Sequence, residues 1–261
     1  MKQPIELDLS GSIAKLILNR PEKRNALTHE MLIQLEEAGR ALRDAIEVRA
    51  VVVRAEGEHF CVGMDLDTLA EHEGESLLAL HRSAELGGRM MRALQEIPQP
   101  TICALQGVVT GGGSCIATAC DFRVAARNSR FGYAEVKRGM NLMWNSLPAV
   151  VALVGQSRAK QLVMSGEFFP ADTLLDWGLF DELCELEDLA GRANAWAEQY
   201  AALPPLALQM IKRSINYVSG AMDASVMHAD VDQNMLTTRS EDFAEAIDAF
   251  MEKRPGHFRG N

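Results

Sequence analysis

The stretch best suited to do chemistry runs from Gln106 to Cys120 and reads QGVVTGGGSCIATAC. Three consecutive glycines, Gly111 to Gly113, follow an apolar run and precede a helical pattern of small residues that ends near Asp121. Glycine adopts dihedrals closed to other residues and lets a ligand approach the main chain. The first N–H groups of the following helix have no internal partner and lie at the positive end of its dipole. The stretch therefore predicts a site that stabilises a negative charge, with tight packing as the alternative explanation.

The glycine spacing also suggests nucleotide binding, but only in part. Gly111 and Gly113 match the first two glycines of the dinucleotide pattern G-x-G-x-x-G, whereas Ile116 stands where the third is required. No Walker-type lysine follows, which excludes a P-loop. A nicotinamide (NAD-dependent) oxidoreductase is therefore a remote alternative that rests on this partial match.

A second turn offers another backbone donor. In FCVGMDLDTL (60–69), Gly63 is predicted to open a second strand-to-helix junction, with Met64 directly after it. Two N–H groups that converge on one oxygen form an oxyanion hole, and each lowers a barrier by on the order of 3–4 kcal/mol when water is excluded. The two turns are therefore best considered together.

The elements that must position these turns alternate between strand and helix. Apolar patterns predict strands at Ile5–Leu9, Ile13–Leu18, Ala50–Val53, Thr101–Leu105, Phe122–Ala125 and Phe131–Tyr133, and helices after Thr28 and over Ser76–Leu94. This alternation indicates an α/β protein with parallel strands. From Asn145 onward the pattern is almost wholly helical, with segments at Leu147–Val154, Ala159–Met164, Pro170–Trp177, Leu186–Ala202, Pro205–Val218, Met222–Thr237 and Glu241–Lys253.

Composition excludes several classes of partner. The chain has 261 residues and a formal net charge of −10, without a basic stripe for nucleic acid. Its five cysteines are odd in number and lack metal-ligand spacing, which fits free thiols in a reducing compartment. No stretch could span a bilayer and no signal-peptide core is present, so we expect a cytoplasmic protein without a membrane partner.

Four blocks of the chain, in matching order and spacing, resemble the crotonase (enoyl-CoA hydratase/isomerase) superfamily. They are LNRPEKRNALTHEM (18–31), FCVGMDL (60–66), LQGVVTGGGSCIATACDFRVAARNSRFGYAEVKRG (105–139) and EDFAEAIDAFMEKRPGHF (241–258). The resemblance implies a crotonase/ClpP-like core of stacked ββα turns over residues 1–200. Residues 201–261 would form a C-terminal helical region that builds trimers, usually paired into hexamers. It also implies an acyl-CoA thioester ligand, with coenzyme A as part of the substrate and no separate cofactor.

The resemblance assigns roles to individual residues. The N–H groups of Met64 and Gly112, beside Gly111, would hold the thioester oxygen and stabilise an enolate, whose oxygen carries more charge than the ground state. Positions matching CoA-binding residues are Lys23, Arg24, Ala26, Met64, Asp65, Leu66 and Asp67. Phe250 and Lys253 match positions that can reach the ligand of a neighbouring subunit. Solvated charge is the alternative for Lys23, Arg24 and Lys253.

The acid/base residues depart from the family pattern. Members that hydrate a double bond hold a water between two glutamates. Glu135 matches the second of these, but Cys115 stands in place of the first. A thiol, with an ordinary pKa of about 8.5, is no resting base. A single glutamate suffices to move a double bond, so Glu135 is predicted to be the acid/base, with a pKa raised by an apolar pocket. Hydration and non-catalytic acyl-CoA binding remain alternatives.

The loop after Gly139, MNLMWNSLP (140–148), also differs from the Pro- and Gly-rich loop of many relatives. Trp144 is predicted either to line the acyl pocket or to pack in a core or interface, and Asn145 could orient a substrate or water. The histidines lack metal spacing, and no metal site is expected. Asp230 and Asp232, on a late helix, are most simply part of a solvated face.

Overall fold

Two sheets form the centre of the computed structural model, which describes residues 3–65, 74 and 76–261. The larger sheet has the strand order β1-β2-β3-β4-β6-β9 and the smaller one the order β5-β7-β8. β1 is antiparallel to β2, and the remaining neighbours of the larger sheet are parallel. The strands are β1 (Ile5–Asp8), β2 (Ile13–Leu18), β3 (Ala50–Ala55), β4 (Thr101–Leu105), β5 (Val108–Thr110), β6 (Phe122–Ala126), β7 (Arg130–Gly132), β8 (Phe169–Pro170) and β9 (Glu182–Cys184).

Helices connect these strands and then form the C-terminal part of the chain. They are α1 (His29–Asp44), α2 (Leu77–Gln95), α3 (Gly112–Ala119), α4 (Leu147–Met164), α5 (Ala171–Asp176), α6 (Leu189–Ala201), α7 (Pro205–Ser219), α8 (Asp223–Met227), α9 (Asp230–Thr237) and α10 (Glu241–Glu252). The predicted α/β class with a helical C-terminal region is confirmed. The division at residue 200 stays a prediction. Among the described helices, none has both the length and the apolar character needed to cross a membrane.

The helix starts follow local capping chemistry. The Thr28 hydroxyl accepts a hydrogen bond from the N–H of Met31, and Ser76 accepts one from Ala79 in the same way. Each bond satisfies one of the N–H groups that a helix leaves unpaired in its first turn. These caps explain why both helix starts could be located from the sequence.

Short elements were missed by the sequence prediction. β5 and β9 each have only three residues, too few to show an apolar pattern.

Two helical regions are divided differently from the prediction. Gly155, with φ of 76°, interrupts α4 between the two segments predicted there. Residues 222–237 form two helices, α8 and α9, rather than one.

β3 is apolar along its length because both faces of the larger sheet are covered. Val51 and Val53 pack in the main core with α1, α2 and α3, whereas Ala50 and Val52 pack in a second core with α6. Successive residues of a strand point to opposite faces, so one continuous apolar run serves both cores. The main core is the one that extends to the glycine turns.

α1 and α2 lie in close contact at Gly39, which yields a test of the packing. A β-carbon at Gly39 would lie 2.8 Å from the backbone carbonyl of Ala93, so the helices would have to separate. Gly39→Ala is expected to lower the free energy of unfolding by about 1–3 kcal/mol, despite the higher helix propensity of alanine.

The matched control is Gly191→Ala in α6, where no atom lies within 4 Å of the added carbon. This variant is expected to raise the free energy of unfolding by up to about 1 kcal/mol. Urea denaturation of both proteins measures the two effects. Equal changes in the two variants would contradict the close contact between α1 and α2.

Candidate active site

The two glycine turns lie side by side because the strands that precede them run together. Cys61 forms a parallel bridge with Val109 of β5. Two residues further along each segment, Gly63 and Gly111 follow in register. A β-carbon on Gly111 would lie 3.3 Å from the Cα of Gly63. Gly63 has φ of 90° and Gly111 φ of 57°, in a region that favours glycine.

The N–H groups of Met64 and Gly112 are both available at this contact. Leu27 donates to Gly63 O and accepts from the N–H of Asp65, each at 2.8 Å, so the residues flanking Met64 form the bridge to Leu27. The Met64 N–H is directed away from that bridge and has no backbone partner among the described residues. Gly112 is the first residue of α3, where N–H groups lack helical partners. The two predicted oxyanion donors therefore lie at adjoining turns.

The other two glycines of the triplet also permit close packing. A β-carbon on Gly113 would lie 2.6 Å from Cys61 O, and one on Gly112 would lie 2.5 Å from Trp144 Cζ3 and 2.7 Å from Leu27 Cδ1. Alanine at either position would push the surrounding segments apart. The packing explanation and the functional explanation of the glycines therefore apply together.

Glu135 lies next to the paired turns. It precedes a short 3-10 helix, Val136–Arg138, and its Oε1 would be 3.6 Å from a β-carbon on Gly111. Its Oε2 is buried and has no hydrogen-bond partner within the described chain. Burial raises the pKa of Glu135 to about 7, against smaller lowering effects from its own backbone N–H and from Arg138. Near neutral pH the carboxyl group can therefore either accept or donate a proton.

Cys115, at the position of the missing glutamate, is an uncharged neighbour. Its side chain is in the core, with 2% exposure. Burial raises the pKa of the Cys115 thiol well above its usual range, and the charge of Glu135 raises it further, while Ser146 lowers it. The thiol therefore remains protonated and supplies no second base.

Further unpaired polar atoms accompany Glu135 in this region. Thr110 Oγ1 and Ser146 Oγ are buried without a hydrogen bond of ordinary geometry to any described residue. Most buried polar atoms in proteins are hydrogen-bonded. Thr110 directly precedes the glycine triplet, and Ser146 lies beside Cys115. The site thus retains free hydrogen-bonding capacity for a ligand or for water.

The loop that carries Lys23 and Arg24 is attached next to Met64. Both side chains are exposed, whereas Ala26 is buried beside the Leu27–Met64 bridge. Asn25, fully buried with φ of 56°, donates from Nδ2 to Glu56 O and His59 O and so anchors the loop. Contact of Lys23, Arg24 and Ala26 with CoA stays a prediction.

Arg20 connects this loop to the turn after Gly63. Its Nη1 donates to Ala26 O at 3.0 Å and pairs with Asp65 Oδ2 at 2.6 Å. The observed contact of the Asp65 carboxylate is thus structural, and its binding to CoA stays a prediction. Leu66 and Asp67, also predicted to bind CoA, lie outside the described residues, as does the helix expected after Gly63.

The C-terminal candidates lie near Arg138 rather than at the glycine turns of the same chain. The Arg138 guanidinium is 4.9 Å from the centroid of the Phe250 ring, and Lys253 ends α10 in an exposed left-handed conformation. Burial lowers the pKa of Arg138, whereas the charge of Glu135 raises it. Arg138 therefore links Glu135 to α10. Contact of Phe250 and Lys253 with a neighbouring subunit's ligand stays a prediction.

The loop after Gly139 places Trp144 beside Gly112. A hydrogen bond to this loop also shows that the expectation for Asp230 was wrong. Trp144 is 7% exposed and its ring contacts Gly112. Asp230, expected on a solvated face, is instead only 4% exposed, because its Oδ2 accepts a hydrogen bond from the N–H of Asn145 at 3.0 Å. Asp232 does face solvent, where it pairs with His81 at 3.0 Å. Nothing local in the sequence indicated Asp230, since its partner lies 85 residues away.

Within the described part of the chain, no group of three or more His, Cys, Asp or Glu side chains is placed to hold a metal ion. The described groups at the glycine turns are two backbone donors, the Glu135 carboxyl group with its raised pKa and the ring of Trp144.

Comparison with known proteins agrees with this arrangement. The family model described as enoyl-CoA hydratase/isomerase matches residues 8–261. A probable enoyl-CoA hydratase, echA6, of Mycobacterium tuberculosis is 33% identical over 258 residues, covering 98% of this chain and 99% of that protein. The 1,2-epoxyphenylacetyl-CoA isomerase of Escherichia coli is 30% identical over 249 residues, covering 95% of each.

A solved structure shows the same fold over the whole length. The crystal structure of carnitinyl-CoA hydratase from Mycobacterium avium matches with a TM-score of 0.87 at 29% identity, covering 100% of both chains. The predicted resemblance is thereby confirmed. The chain belongs to the crotonase, or enoyl-CoA hydratase/isomerase, superfamily of enzymes.

Proposed function

We propose that the protein is an enoyl-CoA isomerase, which moves a carbon–carbon double bond by way of a thioester enolate. The observation that carries this proposal is the setting of Glu135. Its largely buried carboxyl group lies beside the paired turns, and the neighbouring Cys115 is an uncharged thiol rather than a second carboxylate. One proton-transferring group is what double-bond migration requires.

The reaction would begin with proton removal. The Glu135 carboxylate takes a proton from C2 of a 3-enoyl thioester, and the electron pair of that C–H bond forms the enolate. Negative charge develops on the thioester oxygen, where the N–H groups of Met64 and Gly112 would stabilise it. Donors fixed by the fold require no reorganisation as this charge develops.

The second step returns the proton. Glu135, now protonated, donates to C4, and the double bond settles between C2 and C3. The carboxylate is regenerated, and no atom is gained or lost. A carboxyl group with a pKa of about 7 suits both halves of this cycle, because it is a stronger base than an exposed glutamate and still a competent acid.

Hydration is the runner-up, favoured by the names of several relatives. Adding water across the double bond would need a second group, either to activate the water or to donate a proton to carbon. The Cys115 thiol stays neutral because burial raises its pKa. The neutral thiol at position 115, where hydrating members carry a glutamate, also favours a protein that binds acyl-CoA without turning it over. The raised pKa of Glu135 beside two backbone donors is the observation against that alternative.

We also propose that the chain assembles into trimers, alone or paired. No residue of α7 is buried within the single chain. Its exposed apolar residues include Leu206, Met210 and Tyr217, which share one face of the helix. Another face of α7 borders a cavity of about 540 Å³ against α3 and α4, and Glu135 is not among the residues that line it. An apolar surface of this kind favours association.

Replacing the acid/base tests the reaction. Glu135→Gln is expected to reduce turnover of 3-enoyl-CoA esters by at least about 10²-fold, because the amide can neither accept nor return the proton. Glu167→Gln, an exposed residue paired with Lys137, is the matched control and should keep wild-type turnover. Rates are followed with 2-enoyl- and 3-enoyl-CoA esters in deuterated water, with mass spectrometry of the products.

The products separate the alternatives. Deuterium incorporation with a shifted double bond supports isomerisation, whereas addition of a whole water molecule would establish hydration. No change in any ester, together with measurable affinity for acyl-CoA, would establish the binding protein. Equal rates for Glu135→Gln and the wild type would remove Glu135 from the mechanism.

The pH dependence follows from the raised pKa of Glu135. The reaction starts with the carboxylate form, so kcat/KM should rise with pH, reach half its maximum near pH 7 and level off above it. Below that point it should fall about tenfold per pH unit. The measurement uses a 3-enoyl pantetheine thioester, which carries no phosphate that titrates in this range. A profile that stays flat down to pH 5 would contradict Glu135 as the base.

Assembly is tested on α7. Leu206→Asp places a charge on the exposed apolar face but lies in the first turn, where an acidic residue does not weaken the helix. The variant is expected to shift the protein from trimer or hexamer to monomer in light scattering coupled to size exclusion. Gln199→Asp on the exposed side of α6 is the control. Identical masses for Leu206→Asp and the wild type would exclude this face as the interface.

A further inference from the structure

The segment Trp144–Asn145 has a backbone conformation that needs support from elsewhere. Trp144 has φ of 67° and Asn145 φ of 56°, both in the left-handed region. Residues with a β-carbon disfavour this region, a bulky one such as tryptophan more than asparagine. Two successive residues in it therefore indicate that surrounding contacts hold the turn in place.

The supporting contact is Asp230. Its Oδ2 accepts the N–H of Asn145 at 3.0 Å. Burial raises the pKa of this carboxyl group, and the N–H groups of Asn145 and Trp144 partly offset that rise. Successive N–H groups in such a turn form a concave site for an anion. Here the anion is a side chain of the same protein, the first residue of α9. A carboxylate that is 4% exposed would be costly without these donors.

The turn directs the Trp144 ring between two glycines on different helices. A β-carbon on Gly87 of α2 would lie 2.0 Å from Trp144 Nε1, and one on Gly112 of α3 would lie 2.5 Å from Cζ3. The adjacent Asn145 side chain lies 3.1 Å from a β-carbon on Gly88. The ring position is thus specific: α2 and α3 both lack side chains where the ring passes.

We propose that Trp144 is the residue that limits the size of the acyl group, and that Asp230 is the positioning residue that keeps the ring there. This inference rests on the proposed function. With the thioester oxygen at the N–H of Gly112 and C2 at Glu135, beside Gly111, the ring against Gly112 forms the next wall that the acyl chain meets. The substrates it admits are therefore short-chain acyl thioesters.

The role of Asp230 is mechanical rather than chemical. Without an acceptor for the N–H groups of Trp144 and Asn145, the left-handed turn loses the contact that offsets its strain. The ring would then leave the space between Gly87 and Gly112, and longer chains could enter. Asparagine at position 230 would keep an oxygen acceptor, so it should preserve the turn.

The test measures binding of butyryl-CoA, decanoyl-CoA and free CoA by isothermal titration calorimetry. These probes need no turnover, so the result is independent of whether the enzyme isomerises, hydrates or only binds. The ratio of decanoyl-CoA affinity to butyryl-CoA affinity is expected to rise at least about tenfold in Trp144→Ala, since each added buried methylene contributes to discrimination. Affinity for free CoA should change little.

Three variants examine the positioning role. Asp230→Ala should shift the ratio in the same direction as Trp144→Ala, and Asp230→Asn should retain the wild-type ratio. Asp232→Ala, on the exposed side of the same helix, is the matched control. Circular dichroism and thermal melting establish that each variant is folded, and Trp144→Leu provides a second, milder opening of the pocket if Trp144→Ala is unstable.

Several results would overturn the inference. An unchanged ratio in both Trp144 variants would show that the ring does not limit the acyl chain. A change in the ratio for Trp144→Ala but not for a folded Asp230→Ala would remove Asp230 from the role. Equal effects of Asp230→Asn and Asp230→Ala would show that the carboxyl charge, rather than an acceptor for the turn, is what matters.

Discussion

The contact between residues 60–64 and the β5–α3 segment is the constraint on which the site depends. It is a backbone contact, set by the parallel bridge between Cys61 and Val109, and it brings two distant turns into register. The absence of side chains at Gly63, Gly111 and Gly113 allows the two segments to lie this close. A β-carbon at Gly113, for example, would lie 2.6 Å from the carbonyl oxygen of Cys61. Donors held by backbone geometry are in place before a ligand arrives, which is the condition for electrostatic preorganisation.

Several polar side-chain atoms near this contact are buried without a hydrogen bond, which costs free energy of folding. Glu135 Oε2, Thr110 Oγ1, Ser146 Oγ and Arg138 Nε are all buried without a hydrogen-bond partner in the described chain. Each such atom costs about 1–3 kcal/mol. The same burial raises the pKa of Glu135 to about 7 and keeps the Cys115 thiol neutral. The burial that weakens folding here thus also sets the protonation of Glu135 and Cys115, and the two-sided packing of β3 stabilises the fold elsewhere.

How far the sequence predicted this arrangement depends on the range of each interaction. The cap at Thr28, the helix that begins next to Ser76 and the apolar run of β3 are local patterns, and they were placed correctly. β5 was missed because three residues carry no periodicity, although it is the strand that aligns the two turns. Glu135 could be identified only through the family resemblance, since an isolated glutamate has no local signature.

Local sequence patterns could not predict the long-range contacts. In the sequence Asp230 is an ordinary acid on the solvated face of a late helix, and only the folded chain shows its carboxylate under the Trp144–Asn145 turn. Arg20 similarly becomes meaningful only when Asp65 is seen beside it. In both cases the sequence contains the residue type but not the partner, because the partner is brought close by elements that pack through unrelated residues.

The C-terminal helices are part of the site rather than an addition to it. The loop that follows Glu135 contacts them along its length: a β-carbon on Gly139 would lie 2.8 Å from Phe243 Cα, and Asn145 donates to Asp230. Arg138 packs on the Phe250 ring of α10. The helices that carry these contacts follow directly on α7, whose exposed apolar face favours association. A shift of α9 or α10 would therefore reach Glu135 and Trp144 through the same loop, and this path would link the proposed subunit packing to the geometry of the proposed reaction.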